Sequence, residues 1–483
     1  MITILTYQDF QKAVNQGRTI QFIQQAINEH RNSEVFKIAE LANAYDRQIN
    51  PTVNSTVKTI YNMTGAKVKD TSASNIQISS NFFSRLNRQR CAYSLGNGIS
   101  FSEDGVKEGL GYKFDTTLFN AAYYALIHGE SFGFWNVDQL HVFPVTEFVP
   151  LWDETDGSLN AGIRFWSIDW AHKPVYAILY EIDGYTRYAT KTGSLGLNLE
   201  QTEEKHAYKQ TVAYTEAGGD EVIGEENYSS LPIVPLYGNR WHQSTLVGMR
   251  AAIDSYDLIQ SGFANDISDC AQVYWLISNG LGMTTLGSGE DDDPDVIGKP
   301  NKAMLQYMEN IRKYHVAIVD TDNSTIQPYT QEIPHAARST YLAAIKEQIY
   351  RDFGAFNPEV VANGNITATQ IRAAYQTQDE EADAFEYQII EFVQQILRLQ
   401  GIEATPLFDR NRVANELEEV QMVMMEAQYL DDDTVLSLLP NISVDMIPDI
   451  QAKRDAQDNV RFEDEYTSDI QNGTENAANE QGE

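Results

Sequence analysis

The stretch 246–278 constrains this chain more than any other, because Met249, Ile253, Tyr256, Ile259, Phe263, Ile267, Cys270 and Tyr274 recur there at three- and four-residue intervals. Asp254, Asp257, Asp266 and Asp269 lie off that stripe, so the pattern predicts one amphipathic helix. At 1.5 Å per residue it would span about 50 Å, and a helix of that length needs neighbours packed along it. Whatever fold the chain adopts must supply them.

The next segments have the composition of such neighbours. Pro334 opens a second helix through Tyr341, Leu342, Ile345 and Ile349, and Gly354 ends it. Between the two helices lies a small insertion of about 50 residues. It holds glycines at 280, 282, 287 and 289, an acidic turn of Glu290, Asp291, Asp292, Asp293 and Asp295, a helix over 304–314 and a strand over 316–319. After Gly354 comes a loop of small and polar residues, 355–366, which includes Asn357, Pro358, Glu359, Val360, Val361, Ala362, Asn363 and Asn365. Thr367 and Gln370 form a capping box for a third long helix reaching Gln400, with Ile371, Ala374, Phe385, Ile389, Phe392, Ile396 and Leu399 on one stripe. The polar patch 376–381 interrupts that stripe and marks a candidate kink or exposed shelf.

Upstream the texture is mixed. Helical spacing runs over 10–47, and further helices are expected over 81–94 and 117–127. Aromatic and β-branched runs then dominate 132–189, and Asp156-Gly157 and Asp183-Gly184 sit between them as hairpin signals. The reading is an antiparallel meander ending near Ser230. Downstream, residues 401–483 carry 20 Asp and Glu against 5 Lys and Arg; helices are expected over 414–428 and 448–462, and a disordered tail from Thr467.

Charge narrows the function. With 35 Lys and Arg against 69 Asp and Glu the net charge is −34. Such a chain repels nucleic acid, since duplex affinity comes mainly from neutralised phosphates, so tight sequence-specific binding is not expected. Cys91 and Cys270 form no metal-ligand spacing, and no cofactor is expected. No run approaches the roughly 18 apolar residues of a spanning helix, and the first residues lack a basic stretch followed by an apolar one, so neither a membrane anchor nor a secretion signal is expected.

Catalytic motifs fail on their context. Gly129, Ser131 and Gly133 match the nucleophile elbow GxSxG, but that motif needs a strand before the serine and a helix after it, the reverse of the order here. There is no GxxxxGK[ST] for ATP phosphates. The acidic turn starts like a calcium loop, yet Val296 replaces the turning glycine and Lys302 the bidentate glutamate. The chain is read as not an enzyme, with a serine hydrolase using Ser131 as a distant rival.

The order of these parts resembles the portal proteins of tailed bacteriophages, in particular the branch common among phages of Gram-positive hosts. The resemblance is carried by Tyr45, which closes an N-terminal helix; by Cys91, Ala92, Tyr93, Ser94, Leu95 and Gly96; by the run from Leu231 to Tyr237; by Ser244 with Asp254 and Asp257; and by a helix start at Leu430 to Thr434. It implies a mainly helical α+β subunit, with another multimeric virion structural protein as the nearer rival reading. Residues 1–230 would form a wing, 231–281 the first stem helix, 282–333 a small α/β clip and 334–353 the second stem helix. Residues 354–366 would form a tunnel loop, 367–401 a long wing helix, 402–470 a crown and 471–483 an acidic tail. It further implies a ring of about twelve copies at the portal vertex of a virion, assembled in host cytoplasm. Double-stranded DNA would pass through it, and a terminase packaging motor, head-completion or adaptor proteins and capsid or scaffold proteins would dock on it. The acidic clip turn is the expected docking surface, and Arg338, Lys346 and Arg351 are candidate phosphate contacts, although their spacing does not keep all three on one helical face.

Overall fold

The fold is given by a computed structural model, which describes residues 5–61, 66–70, 73–103, 105–167, 174–190, 197–214, 220–270, 274–278, 316–319, 326–329, 335–360, 368–411, 420, 423–427, 429–439, 450 and 452–453. Two compact units divide the chain: Met1–Asn357 with Tyr375–Asn411, and Pro358–Ala374 with Arg412–Glu483.

The helical run near the N-terminus is three helices, α1 (Tyr7–Asn15), α2 (Thr19–Asn32) and α3 (Glu34–Asp46). Gly17, at φ +69°, turns the chain between the first two, and Ser33 ends α2 while its hydroxyl accepts from the Phe36 N–H to cap α3. After the short α4 (Pro51–Asn54) come α5 (Phe82–Leu95), α6 (Phe114–His128), α7 (Leu246–Cys270), α8 (His335–Phe353) and α9 (Ala368–Leu399). The Asp183-Gly184 signal does mark a hairpin, with Ile182 and Asp183 as the turn and Glu181 and Gly184 as the closing pair.

The aromatic region forms two packed sheets rather than one meander. Strands β6 (Phe148–Trp152), β7 (Leu159–Ser167), β8 (Val175–Glu181), β9 (Gly184–Thr190) and β10 (Leu199–Gln201) make the expected antiparallel meander. Strands β4 (Glu130–Asn136) and β5 (Gln139–Pro144) instead pair with β13 (Ile233–Tyr237), in the order β13-β4-β5. Sequence periodicity gave no strand over 233–237, because prolines punctuate that run; Pro235 is accommodated since β13 is an edge strand. Smaller pairs are β1 (Thr59–Tyr61) with β2 (Lys67–Lys69), β11 (Lys209–Tyr214) with β12 (Asp220–Glu226), and β3 (Ile99–Phe101) with β17 (Pro406–Phe408).

Alternation along the strands assigns the layers. Leu151, Ile163, Phe165 and Leu179 face Phe10, Phe22, Ile23 and Ile27 of α1 and α2. Tyr180 on the opposite face meets Phe134 and Phe143, and Phe148 meets Phe132 at 4.5 Å between ring centroids. Behind the three-stranded sheet lie Leu118, Ala122 and Leu126 of α6 and Phe385, Ile389, Phe392 and Ile396 of α9, all in one core with it. A separate helical core joins Tyr45 of α3, Phe83 and Leu86 of α5, Met249 and Ile253 of α7, and Ile345, Ile349 and Phe353 of α8.

Two expectations are corrected. The long helix ends at Cys270, not Ser278, because β14 (Tyr274–Ser278) is a run of aromatic and β-branched residues suited to a sheet; it pairs parallel with β15 (Val316–Val319) and antiparallel with β16 (Ile326–Tyr329). The polar patch 376–381 does not break α9, which runs through it; the shelf alternative is the one met, with Gln376, Thr377, Glu380 and Glu381 exposed, while Gln378, Asp379 and Glu381 also make contacts with α5 and Arg410. The second unit holds the first turns of α9 and α10 (Asp432–Leu438), whose cap is Asp431 accepting from the Thr434 N–H. Most of the other two C-terminal helices, and the helix over 304–314, lie outside the described residues.

Gly133 places α9 on the sheet: a Cβ there would sit 2.4 Å from the Phe392 ring. Gly133→Ala is expected to push Phe392 out of its seat and cost about 1–3 kcal/mol, read as a lower urea midpoint, whereas an unchanged midpoint would contradict the close approach.

Candidate functional site

The distal half of α7 and its partner α8 form the most unusual feature of the first unit. One ridge of α7 runs Met249, Ile253, Asp257, Ser261, Asn265 and Asp269, each four residues from the last, so together they form one continuous row that winds slowly round the helix. Its first two members enter the helical core, and Asp257, Ser261 and Asn265 are buried as well. This corrects the expected stripe, in which Asp257 was off the buried face; Ile267, assigned to it, is half exposed.

The polar half of the ridge is buried because it binds an extended strap, residues 74–80. The Ser80 N–H donates to Asp257 (2.9 Å), the Ile78 N–H to the Ser261 hydroxyl (2.9 Å), the Ile76 N–H to the Asn265 side-chain Oδ1 (2.6 Å) and the Ser74 N–H to Asp269 (3.3 Å). The Asn265 amide also donates back to the Ile76 carbonyl, at 3.1 Å. Every second strap residue therefore meets every fourth helix residue. Asp254, one turn before, accepts from Tyr45 (2.5 Å), Asn50 (3.0 Å) and Thr52 (3.0 Å), while Asn50 also donates to Asp257 at 2.8 Å. Burial raises the Asp257 pKa above the usual carboxylate range despite the groups that donate to it. Burial acts the same way on Asp269, but the Lys58 ammonium at 2.8 Å and Ser74 outweigh it and hold that carboxyl below its ordinary value.

Helix α8 packs on another face of α7. Phe263 meets His335 edge-on at 5.3 Å, Ser255 and Tyr341 share a hydrogen bond of 2.9 Å, and Arg338 pairs with Asp266. Of the three candidate cations, Arg338 thus turns toward α7, Lys346 is half-buried, and Arg351 is mostly exposed beside Asp352 at 3.8 Å. They do not share a face. The chain that joins the two helices forms the small sheet β15-β14-β16, with β14 starting four residues after α7 and β16 ending six residues before α8. Glu290, Asp291, Asp292, Asp293 and Asp295 lie outside the described residues.

The loop after α8 is described from Gly354 to Val360. Gly354, at φ +68°, turns the chain as the helix ends, and a Cβ there would meet the Glu381 side chain at 2.8 Å. Phe356 is buried, Asn357 half-buried, and Pro358 and Glu359 are exposed in a 3₁₀ turn, Pro358–Val360. Val361, Ala362, Asn363 and Asn365 lie outside the described residues.

Ser131 is not placed for chemistry. It is fully buried within β4, and its hydroxyl donates to the Ala121 carbonyl of α6 at 2.8 Å. Gly129 takes φ +100° at the end of α6, and Gly133 admits Phe392, so each residue of the apparent motif has a packing reason. Among the described residues no helix is long and apolar enough to cross a membrane.

A family profile described as Phage portal protein, SPP1 Gp6-like, matches residues 24–460. The chain is similar to the portal protein of Bacillus phage SPP1, with 22% identity over 399 residues that cover 76% of this chain and 73% of that one. It is also similar to the portal protein of Clostridium phage phiCD119, with 22% identity over 229 residues, 45% of this chain and 47% of that one. The match therefore spans about half the length of the Clostridium phage relative.

Asn265 is the rung that both donates and accepts. Asn265→Ala leaves the Ile76 N–H and carbonyl without partners, with an expected cost of about 1–3 kcal/mol and new protease cleavage within 74–80; unchanged stability and an uncut strap would contradict the ladder.

Proposed function

Since the chain belongs to the SPP1 Gp6-like family of phage portal proteins, we propose that it is the repeating subunit of a closed ring at one capsid vertex, through which double-stranded DNA enters and leaves. The family is structural and not enzymatic: its members are virion head-tail connectors involved in genome packaging. The observation that best supports the conduit is the pair α7 and α8, packed side by side and joined through a chain segment that forms a small sheet. At 1.5 Å per residue, the 25-residue α7 is about 37 Å long and the 19-residue α8 about 28 Å. Repeated around an axis, such pairs make a wall.

In this reading each copy presents one face to the opposite face of the next, a heterologous contact that closes at about twelve copies. The net charge of −34 suits the task, since each strong phosphate contact would add affinity and act as a brake on translocation. The loop 354–366 carries one charge, Glu359, and reaches the duplex with neutral side chains such as Asn357, Asn363 and Asn365. The clip, with its acidic turn at 290–295, is the docking surface for the terminase motor and head-completion proteins, and the wing contacts capsid or scaffold. The pairing of Arg338 with Asp266 argues for a role in holding the stem together ahead of one in binding phosphate.

Two measurements test this. Sedimentation of the purified chain is expected to give one discrete species of about twelve subunits; a monomer at all concentrations and salts would contradict it. Replacing Asn357 and Glu359 by lysine is expected to slow packaging most at low salt and less as salt rises, whereas a salt-independent rate equal to the parent's would remove the loop from the DNA path.

A further inference from the structure

The first compact unit is interrupted along the chain: it stops at Asn357, resumes at Tyr375 and stops again at Asn411. All three ends are fastened to the last turns of α5, where Tyr93 lies four residues from Gln89 and three from Arg90, one turn away from both.

The first end is held by Arg90, which donates to the Phe353 carbonyl, lies 4.3 Å from the Phe353 ring centroid and pairs with Glu381 at 3.1 Å. Gln89 donates to the Phe356 carbonyl at 3.0 Å, and the Phe356 N–H donates to Gln378 at 2.9 Å. The second end joins the first by stacking. Phe356 and Tyr375 lie 4.3 Å apart and 2° from parallel, and Tyr375 stacks in turn on Tyr93 at 5.8 Å and 11°.

The third end reaches the same tyrosine. The Asn411 N–H donates to the Tyr93 carbonyl at 2.8 Å, and the Arg410 guanidinium lies 6.0 Å from the Tyr93 ring centroid. The Tyr93 hydroxyl donates to Asp379, which also accepts from Arg410 at 3.3 Å. Arg410 further pairs with Asp383, and with Glu386 at 2.7 Å.

We infer that Tyr93 is a positioning residue that couples the two sides of this junction, so that loosening the root of the loop at Phe356 loosens the exit at Arg410 and Asn411, and the reverse. The reason is that the fastenings are shared and not parallel. Asp379 is oriented by both Tyr93 and Arg410, and the Tyr93 ring is fixed by the aromatic stack on one side and by the returning chain on the other. Coupling of this kind is reciprocal by thermodynamic necessity. It does not rest on the ring reading; if that reading holds, the segments so joined are the DNA-facing loop and the acidic C-terminal region.

The test is amide hydrogen exchange on the full chain, followed in peptides covering 353–357 and 405–411. Arg410→Gln touches no group in 353–357, yet it is expected to speed exchange there by roughly fivefold as well as in 405–411. Gln378→Ala, which removes the acceptor of the Phe356 N–H, is expected to speed exchange in 405–411 by a similar factor. In a Tyr93→Ala background neither substitution should act on the far segment any longer. Peptides covering β4, remote from the junction, serve as the control for general destabilisation. Tyr93→Phe keeps the stack and drops only the bond to Asp379, so it provides the same reading in a milder variant if Tyr93→Ala does not fold; it is expected to loosen both segments together. Acceleration confined to the segment nearest each substitution, in either series, would overturn the coupling.

Discussion

The first unit depends on a match between two repeats. Four residues of α-helix rise about 6 Å, and two residues of extended chain advance about 6.6 Å, so side chains on one helical ridge can meet alternate backbone groups of a strap laid alongside. The α7 ridge uses that match from Asp257 to Asp269. An apolar ridge in its place would leave the N–H groups of Ser74, Ile76, Ile78 and Ser80 without these partners, at a cost that backbone donors seldom bear. The strap is what lets the distal half of α7 extend beyond the helical core that holds Met249 and Ile253.

With α7 held, the remaining parts take their places. Helix α8 lies on it through Phe263, Ser255 and Asp266, and its last turn returns to the core through Ile349 and Phe353. The chain then passes α5, where Arg90 and Gln89 take the carbonyls that the end of α8 and its turn would otherwise leave open. Helix α9 is carried back over the three-stranded sheet, with Phe392 seated on Gly133. Helices α7 and α8 are thus held along their length, by the strap on one side and by the helical core at Met249, Ile253, Ile349 and Phe353.

Much of this was legible in the sequence where periodicity and turn chemistry agree. The meander from β6 to β9 follows from period-two aromatic runs and the Asp183-Gly184 signal, and α8 and α9 from their apolar spacing, while Pro334 and the capping residue Thr367 lie outside the described residues. The ladder was not legible, since a buried Asp257 bonded to a backbone N–H looks, in sequence, like any solvated acid off a helix stripe. The end of α7 was missed because Cys270 and Tyr274 continue the helical spacing into a run whose residue types prefer a strand. Pairing of β3 with β17 links positions about 300 residues apart and leaves no local mark. Of the candidate site, the helix pair and the loop root were visible as a pattern, whereas the Tyr93 junction consists of contacts between distant residues that a single sequence does not juxtapose.

In the proposed ring, neighbouring copies of α7 and α8 wall a negatively charged passage. A density map of the assembled particle at a resolution that shows helices measures this most directly. The account predicts a central hole wide enough for a duplex, lined along part of its length by one α7 and α8 pair from every copy. Helix pairs directed away from the axis, or a particle with no continuous passage, would contradict it.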